Sequence, residues 1–170
     1  RQHFICENDK DNILQMSCIQ IVYEPPRVAV IILHYRNIEN IQRCISSLRE
    51  STYRNATEIV IIDNNSGNWE IMKKEFPETT LLHSEVNRGF AGGNNLGIEY
   101  VLTTNARYVY LLNDDAIVVP KTIEILVNVM EQKQEIGAVQ SVTYNLENHS
   151  LIDSLGHRLL AKGGAETITE

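Results

Sequence analysis

Several features that would point to particular classes of protein are missing from this sequence of 170 residues. No apolar run approaches the roughly 20 residues that a helix needs to cross a bilayer, so the sequence predicts no membrane span. Acidic residues outnumber basic ones, and a net charge of −7 argues against a surface that binds nucleic acid. There is no internal repeat and no low-complexity segment. With 43% hydrophobic and 22% charged residues, the composition is that of an ordinary globular protein.

Cysteine is scarce, and its spacing indicates no site. The three cysteines, Cys6, Cys18 and Cys44, are an odd number and show neither a Cys-x-x-Cys pair nor a Cys/His spacing typical of zinc sites. Neither a disulfide framework nor a zinc centre is therefore indicated. A reducing compartment, the cytoplasm, fits this pattern better than an oxidising one.

Three regions of the chain differ in how regular their patterns are. Residues 1–26 are the least regular; residues 13–23 could form a strand before the Pro25-Pro26 break, and we predict an extension or the tail of a preceding domain. Strand and helix patterns alternate from residue 27 to 142, and residues 143–170 carry a mixed signal. Because the sequence begins with Arg1 rather than methionine, we expect it to be a piece of a longer protein.

The alternation in residues 27–142 predicts the fold class. Short apolar runs are typical of strands buried on both faces of a parallel sheet, and they occur at 28–33, 58–62, 79–83, 108–112 and 136–142. Apolar residues recur at helical spacing over 38–48, and further helices are predicted over 69–76, up to residue 102, and from Pro120 as a first helical position. We therefore predict an α/β fold with a mostly parallel sheet flanked by helices.

Acidic residues end two of the predicted strands. Asp63 follows the run at 58–62, and Asn113, Asp114 and Asp115 follow the run at 108–112. Parallel strands bring such residues to one carboxyl edge, where open α/β folds bind their ligands. Asp115 could hold Mg²⁺ or Mn²⁺ shared with a phosphate, and Asp63 could accept from a base or ribose. Solvated turns would account for the same residues, since Asp favours turns and helix starts.

Other residues fall at the same predicted edge. A glycine-rich loop at 87–95 could approach a phosphate or serve only tight packing, and its spacing is not a dinucleotide fingerprint. Within it, Arg88 offers fork-like donors for a diphosphate, or is simply solvated. Tyr35 could stack on a nucleobase or belong to the rim of the core. His34 is the only histidine predicted at this edge, and we assign no histidine to a metal.

Four segments taken together resemble the nucleotide-binding half of glycosyltransferase family 2, which has the GT-A fold: VAVIILHYRN, EIVIIDNNSG, NRGFAGGNNLGI and YVYLLNDDAIVVP. The similarity looks closest to rhamnosyltransferase-like members and spans residues 27–142, with residues 143–170 as the incomplete start of the acceptor-binding half. It implies a Rossmann-like GT-A sheet, a nucleotide-diphospho-sugar donor, a divalent metal and inverting transfer to a hydroxyl of a glycan or lipid-linked acceptor, as in hexosyltransferases. The alternatives are a GT-A-like nucleotidyltransferase and a non-catalytic sugar- or protein-binding remnant.

The resemblance also implies roles for single positions. The donor-binding residues of the family are matched by Tyr35, Asp63, Arg88, Asn113 and Asp114. Asp115 matches the last residue of the family's D-x-D motif and is the expected metal ligand, whereas Asn113 replaces its first aspartate and is expected at ribose or water. A second departure is Leu33-His34, which stands where the family more often has proline-threonine.

The resemblance also bears on catalysis and location. It places the general base in the acceptor-binding half, beyond Glu170, so the late carboxylates Glu147 and Asp153 are not assigned to that role. It further implies a membrane-proximal acceptor. We therefore expect the protein in the cytoplasm, with peripheral association at the inner face of the membrane as a further expectation.

Overall fold

A four-stranded parallel sheet lies at the centre of the part of the chain that the structure describes. This computed structural model describes residues 4–5, 19–20, 24–159 and 165–168. In chain order the helices and strands are β1 (Phe4–Ile5), β2 (Ile19–Gln20), β3 (Val28–His34), α1 (Ile38–Arg49), β4 (Thr57–Asn64), α2 (Trp69–Glu75), β5 (Thr80–Ser84), α3 (Gly89–Val101), β6 (Tyr108–Asn113), α4 (Thr122–Gln132), β7 (Thr143–Tyr144), β8 (Ile152–Ser154), β9 (Gly156–Leu159) and β10 (Ala165–Ile168). The short strands form three antiparallel pairs, β1 with β2, β7 with β8 and β9 with β10.

The order of the central strands determines where a ligand crevice can form. The sheet has the order β5-β4-β3-β6, and all neighbours are parallel. From β3 the chain first proceeds outward through β4 and β5 and then returns to the opposite side of β3 as β6. The strand order therefore reverses between β3 and β6, and open α/β sheets bind ligands outside the carboxyl ends of the strands at such a switch point.

Each face of the sheet is covered by helices. One face packs against α1, α2 and α4, and α1 contributes a stripe of buried residues at helical spacing: Ile41, Cys44, Ile45 and Leu48. The other face packs against α3. Strand β3 is buried on both faces, which explains why its sequence is a continuous apolar run rather than an alternation.

Glycines let α3 lie unusually close to the sheet. A Cβ atom on Gly97 would be 2.7 Å from Cγ2 of Ile31 and 3.0 Å from Cδ1 of Ile62. A Cβ atom on Gly93 would be 2.3 Å from Cδ1 of Leu33. The prediction of a loop over 87–95 is therefore wrong from Gly89 onward. Residues 89–95 form the first turns of α3, and the backbone of this helix packs directly against side chains of β3 and β4.

Most of the predicted elements are confirmed. The strands at 28–33, 58–62, 79–83 and 108–112 correspond to β3, β4, β5 and β6 with small shifts at their ends, and the helices over 38–48 and 69–76 correspond to α1 and α2. The predicted burial on both faces is confirmed for β3 but is wrong for the edge strand β6, where Val109 and Leu111 are each 44% exposed. The α/β class with a parallel central sheet is therefore confirmed. Of the strand predicted at 13–23, only Ile19–Gln20 lies within the described residues, as β2.

One predicted strand and the predicted start of one helix are wrong. Residues 136–142 form no strand; within them, residues 137–139 lie beside β6 and α4, where Val139 lines a cavity together with Tyr110 and Val127. Helix α4 begins at Thr122, and Pro120 precedes it in a turn. The carbonyl oxygen of Pro120 accepts a hydrogen bond from the Thr52 N–H at 2.9 Å.

Among the described residues, no helix is both long and apolar enough to cross a bilayer. The division of the chain at residues 26 and 142 stays a prediction.

Candidate functional site

A row of imidazole and carboxylate side chains crosses the carboxyl edge of the sheet. His83, Asp63 and His34 are in register on β5, β4 and β3, and Asp114 follows the end of β6. Nδ1 of His83 is 2.8 Å from Oδ2 of Asp63, and Nδ1 of His34 is 2.9 Å from Oδ2 of Asp114. Two histidine–aspartate pairs therefore lie side by side. The edge carries His83 as well as His34, so the prediction that His34 is the only histidine there is wrong.

Asp63 is enclosed by its own chain. Its side chain is fully buried, and Oδ1 accepts a hydrogen bond from the backbone N–H of Ser66 at 2.9 Å, while Oδ2 faces His83. The ring of His83 is 38% exposed and its centroid lies 5.0 Å from that of Trp69. The carboxylate thus closes a turn after β4, as the alternative interpretation expected, and it also holds an imidazole at the surface. A direct contact between Asp63 and a base stays a prediction.

The acidic loop after β6 divides its side chains between the interior and solvent. Asp114 is partly buried against His34, whereas Asn113 and Asp115 are exposed. Neither the amide of Asn113 nor the carboxylate of Asp115 has a hydrogen-bond or ion-pair partner within the described ranges. This loop lies at the switch point between β3 and β6. As far as the described residues go, the negative charge of Asp115 is therefore uncompensated, at the place where a ligand is expected.

Cys44 lies beneath this loop, and the negative charge of the loop affects the pKa of its thiol. Its Sγ is 3.7 Å from the carbonyl oxygen of Asn113. Burial, and then the nearby carboxylates of Asp114 and Asp115, raise the pKa of the Cys44 thiol to about 12. Both causes disfavour the thiolate, because it would be a buried anion next to two others.

The thiol of Cys44 is expected to resist alkylation in the folded protein. At pH 8 it is protonated, since its pKa is raised to about 12, and it is fully buried, whereas only the thiolate is a good nucleophile. Treatment with iodoacetamide before and after unfolding in urea, followed by peptide mass mapping, should show modification of Cys44 only after unfolding. Equal modification in both states would contradict this placement.

A second polar group at the same edge is centred on Asn87. Its Oδ1 accepts hydrogen bonds from Nδ2 of Asn64 at 2.9 Å and from the backbone N–H of Gly89 at 2.8 Å. A hydrogen bond from Asn87, together with the neighbouring Arg36, lowers the pKa of the Tyr35 hydroxyl. Asn87 therefore joins the loop after β3, the end of β4 and the start of α3.

Arg88 is fixed at one end and available at the other. Its backbone N–H donates to Oδ1 of Asn64 at 2.8 Å, and its Nε donates to Oγ of Ser84 at 2.9 Å. The two terminal NH₂ groups of the guanidinium have no partner in the described part of the chain. An arginine held in this way offers paired donors to an anion such as a phosphate.

The acidic loop fits a divalent cation that shares its coordination with a ligand. The described residues contain no group of three or more His, Cys, Asp or Glu side chains that could enclose a metal. Asp115 instead offers one exposed carboxylate, next to the exposed amide of Asn113. Mg²⁺ commonly takes one or two carboxylates and completes its shell with water and substrate phosphates. The donor set is therefore suited to a cation bound together with a phosphate.

Sequence reasoning missed part of this arrangement. His83 could have been found, because it ends a predicted strand just as Asp63 does. Asn87 begins the asparagine-arginine-glycine segment, so its position was visible in the sequence, although only Arg88 of this segment was predicted as a site residue. Asn68, whose Nδ2 lies 3.1 Å from Nε2 of His34, belongs to a loop without any pattern, so the sequence carried no signal for it.

Comparison with known sequences shows the family. The model of "Glycosyl transferase family 2" matches residues 29–159. The low-salt glycan biosynthesis hexosyltransferase Agl10 of Haloferax volcanii is 30% identical over 89 residues, which is 52% of this chain and 27% of that protein. The match therefore covers well under half the length of that curated relative.

Solved structures share the fold at low sequence identity. The mannosyltransferase PcManGT from Pyrobaculum calidifontis, in complex with GDP-Man and Mn²⁺, has a TM-score of 0.58 at 20% identity, covering 75% of this chain and 38% of that one. S. aureus TarS 1-349 has a TM-score of 0.55 at 16% identity, covering 69% of this chain and 39% of that one. The sheet and its helices match those of GT-A glycosyltransferases, and with the match over residues 29–159 the chain belongs to glycosyl transferase family 2.

Proposed function

We propose that this chain binds a nucleoside-diphosphate sugar together with a divalent cation, and serves transfer of the sugar with inversion to a hydroxyl group. The observation that carries the proposal is the exposed carboxylate of Asp115, which has no partner among the described residues and lies at the switch point of a family 2 chain. A cation bridging this carboxylate to a diphosphate would compensate its charge.

The residues around the edge divide the work of holding the donor. Asp115 would bind Mg²⁺ or Mn²⁺, and Asn113 would contact ribose or a water molecule. The bound cation would supply a positive charge that offsets the negative charge on the departing diphosphate. The free NH₂ groups of Arg88 would bind phosphate oxygens, which accept two parallel hydrogen bonds from a guanidinium.

The base end of the donor would lie beside the loop after β3. The ring of Tyr35 is 36% exposed there, and its hydroxyl is tied to Asn87 and to Nη2 of Arg36. A ring fixed in this way can pack against a nucleobase. Asp63 would approach the base from the neighbouring strand. Solved neighbours bind nucleotide donors of two kinds, since S. aureus TarS is seen with UDP and UDP-GlcNAc and PcManGT with GDP-Man.

The acceptor would be a hydroxyl of a glycan or of a lipid-linked glycan, and a carboxylate would remove its proton during attack on the anomeric carbon. The late carboxylates Glu147 and Asp153 are both exposed and are not assigned to that role. Preference for rhamnosyl donors, and a position in the cytoplasm or at the inner face of the membrane, are predictions from the resemblance alone.

Nucleotide-sugar binding should depend on the cation. Calorimetric titration with UDP-, GDP- and dTDP-linked sugars is expected to show binding of at least one donor in Mn²⁺, loss of that binding in EDTA, and recovery when excess Mn²⁺ is added. The physical reason is that without the cation the diphosphate would meet the carboxylate of Asp115 directly. Binding that is indifferent to EDTA would favour a non-catalytic remnant, and no binding of any donor would contradict the proposal.

A further inference from the structure

His34 connects the two sides of the switch point. Its side chain is fully buried at the end of β3, and both ring nitrogens have partners. Nδ1 faces Oδ2 of Asp114, in the loop after β6, at 2.9 Å. Nε2 faces Nδ2 of Asn68, in the loop after β4, at 3.1 Å. A buried imidazole with both nitrogens hydrogen-bonded has one orientation, so His34 fixes the positions of the Asp114 and Asn68 side chains.

The partners of Asn68 determine where the imidazole proton lies. Nδ2 of Asn68 is 2.8 Å from the backbone carbonyl oxygen of Arg36, and a carbonyl can only accept. That atom is therefore the amide nitrogen, and its second hydrogen points toward His34, so Nε2 of His34 acts as the acceptor. A neutral imidazole with Nε2 as acceptor carries its proton on Nδ1. Nδ1 of the neutral His34 ring thus donates a hydrogen bond to the carboxylate of Asp114.

This donation separates two adjacent carboxylates. Asp114 is drawn toward the sheet, where its side chain is 22% exposed, while the next residue, Asp115, remains at the surface without a partner in the described part of the chain. If the hydrogen bond were absent, nothing among these contacts would distinguish the two as ligands for a cation. Asn68 also ties the same bond to the backbone of Arg36, so the loops after β3, β4 and β6 share one anchor.

We propose that His34 is a positioning residue: it holds Asp114 against the sheet so that Asp115, and not Asp114, is presented to the cation and diphosphate. The inference rests on the proposed function. It changes the role predicted for Asp114 from a donor contact to the anchor of the acidic loop.

Two substitutions at His34 separate the donor from the bulk of the ring. In His34→Asn, the amide nitrogen can take the place of Nδ1 and still donate to Asp114. In His34→Gln, the amide lies nearer to the position of Nε2 and leaves Asp114 without a donor. The probe is whichever of UDP, GDP and dTDP binds the unmodified protein most tightly, titrated with Mn²⁺ and with EDTA. His149→Gln, which changes an exposed histidine in a turn, is the matched control.

The expected result is a loss of metal-dependent affinity in one variant only. His34→Gln should weaken binding of the nucleoside diphosphate in Mn²⁺ by about tenfold or more, the size typical for loss of a group that orients a metal ligand. His34→Asn should lose much less, and the unfolding temperature without metal should be the same in both His34 variants. A merely structural role would lower that unfolding temperature together with the affinity in Mn²⁺. Equal affinities of the Gln and Asn variants in Mn²⁺ would overturn the inference.

A second pair of variants keeps the test decisive if His34→Gln fails to fold. Asp114→Asn retains an oxygen that can accept from His34 but loses the charge. In Mn²⁺, the Asp114→Asn variant should bind the nucleoside diphosphate about tenfold more tightly than the Asp115→Asn variant does. An equal loss in both variants would make Asp114 a ligand and overturn the inference, while the proposed function would stand. Absence of metal-dependent binding in the unmodified protein would instead remove the proposed function, and the inference with it.

Discussion

The Asp115→Asn variant is expected to lose metal-dependent nucleotide binding by about tenfold or more, because an uncharged amide is a much weaker partner for a divalent cation. The substitution preserves shape and removes only charge. Isothermal titration of the nucleoside diphosphate, in Mn²⁺ and in EDTA, measures the loss directly. The unfolding temperature without metal should stay the same or rise, since one of two adjacent carboxylates is neutralised and their mutual repulsion is relieved.

Glu135→Gln is the matched control for this variant. Glu135 is exposed in the turn that follows α4, at the opposite end of the sheet from the acidic loop, and the change removes the same charge. It should leave the Mn²⁺ dependence unaltered. If both variants lose affinity equally, the effect belongs to the net charge of the protein and not to a ligand at position 115.

Gly97→Ala is expected to destabilise the protein by about 1–3 kcal/mol, the usual cost of forcing a methyl group into a well-packed core. The added Cβ would be 2.7 Å from Cγ2 of Ile31 and 3.0 Å from Cδ1 of Ile62, and both isoleucines are fully buried. In a helix interior, alanine is otherwise favoured over glycine by about 1 kcal/mol, so the expected sign is opposite to that of helix propensity. Urea denaturation monitored by circular dichroism measures the difference in free energy of unfolding.

The exposed Asn95 on the same helix provides the control. Asn95→Ala introduces a better helix former where no packing changes, and it should alter the free energy of unfolding by no more than about 0.5 kcal/mol. Should Gly97→Ala prove as stable as this control, α3 would have to lie farther from the sheet than described.

The sheet could be predicted from the sequence because its signal is local. Continuous apolar runs of strand length, each followed by polar residues, are sufficient to locate β3, β4, β5 and β6 without knowledge of their neighbours. Helix α3 could not be predicted to begin at Gly89, because a glycine-rich sequence favours a loop. It forms a helix only where close packing of the helix backbone against another surface stabilises it. That surface is formed by strands elsewhere in the chain. Residues 137–139 likewise line a cavity beside β6 and α4 without pairing as a strand, a placement that depends on those distant elements.

The site was only partly readable for the same physical reason. The position of Asp115 after the end of β6 could be predicted, since acidic residues that follow an apolar run are visible in the sequence. The bond between His34 and Asp114 joins residues 80 positions apart, and it exists only because β6 returns to the side of β3. Likewise, the hydrogen bond between Asp63 and His83 exists because β4 and β5 are adjacent strands. Strand order, which the sequence pattern does not specify, determined both contacts.

The close seating of α3 has a consequence for the rim of the sheet. Arg88 immediately precedes this helix and is held at the strand ends by Asn64 and Ser84, so a helix pushed away from the sheet would strain these two hydrogen bonds. A methyl group added at Gly97 would therefore also disturb the position of the guanidinium. The proposed contact between Arg88 and phosphate would in that sense depend on the close packing of α3 as well as on charge.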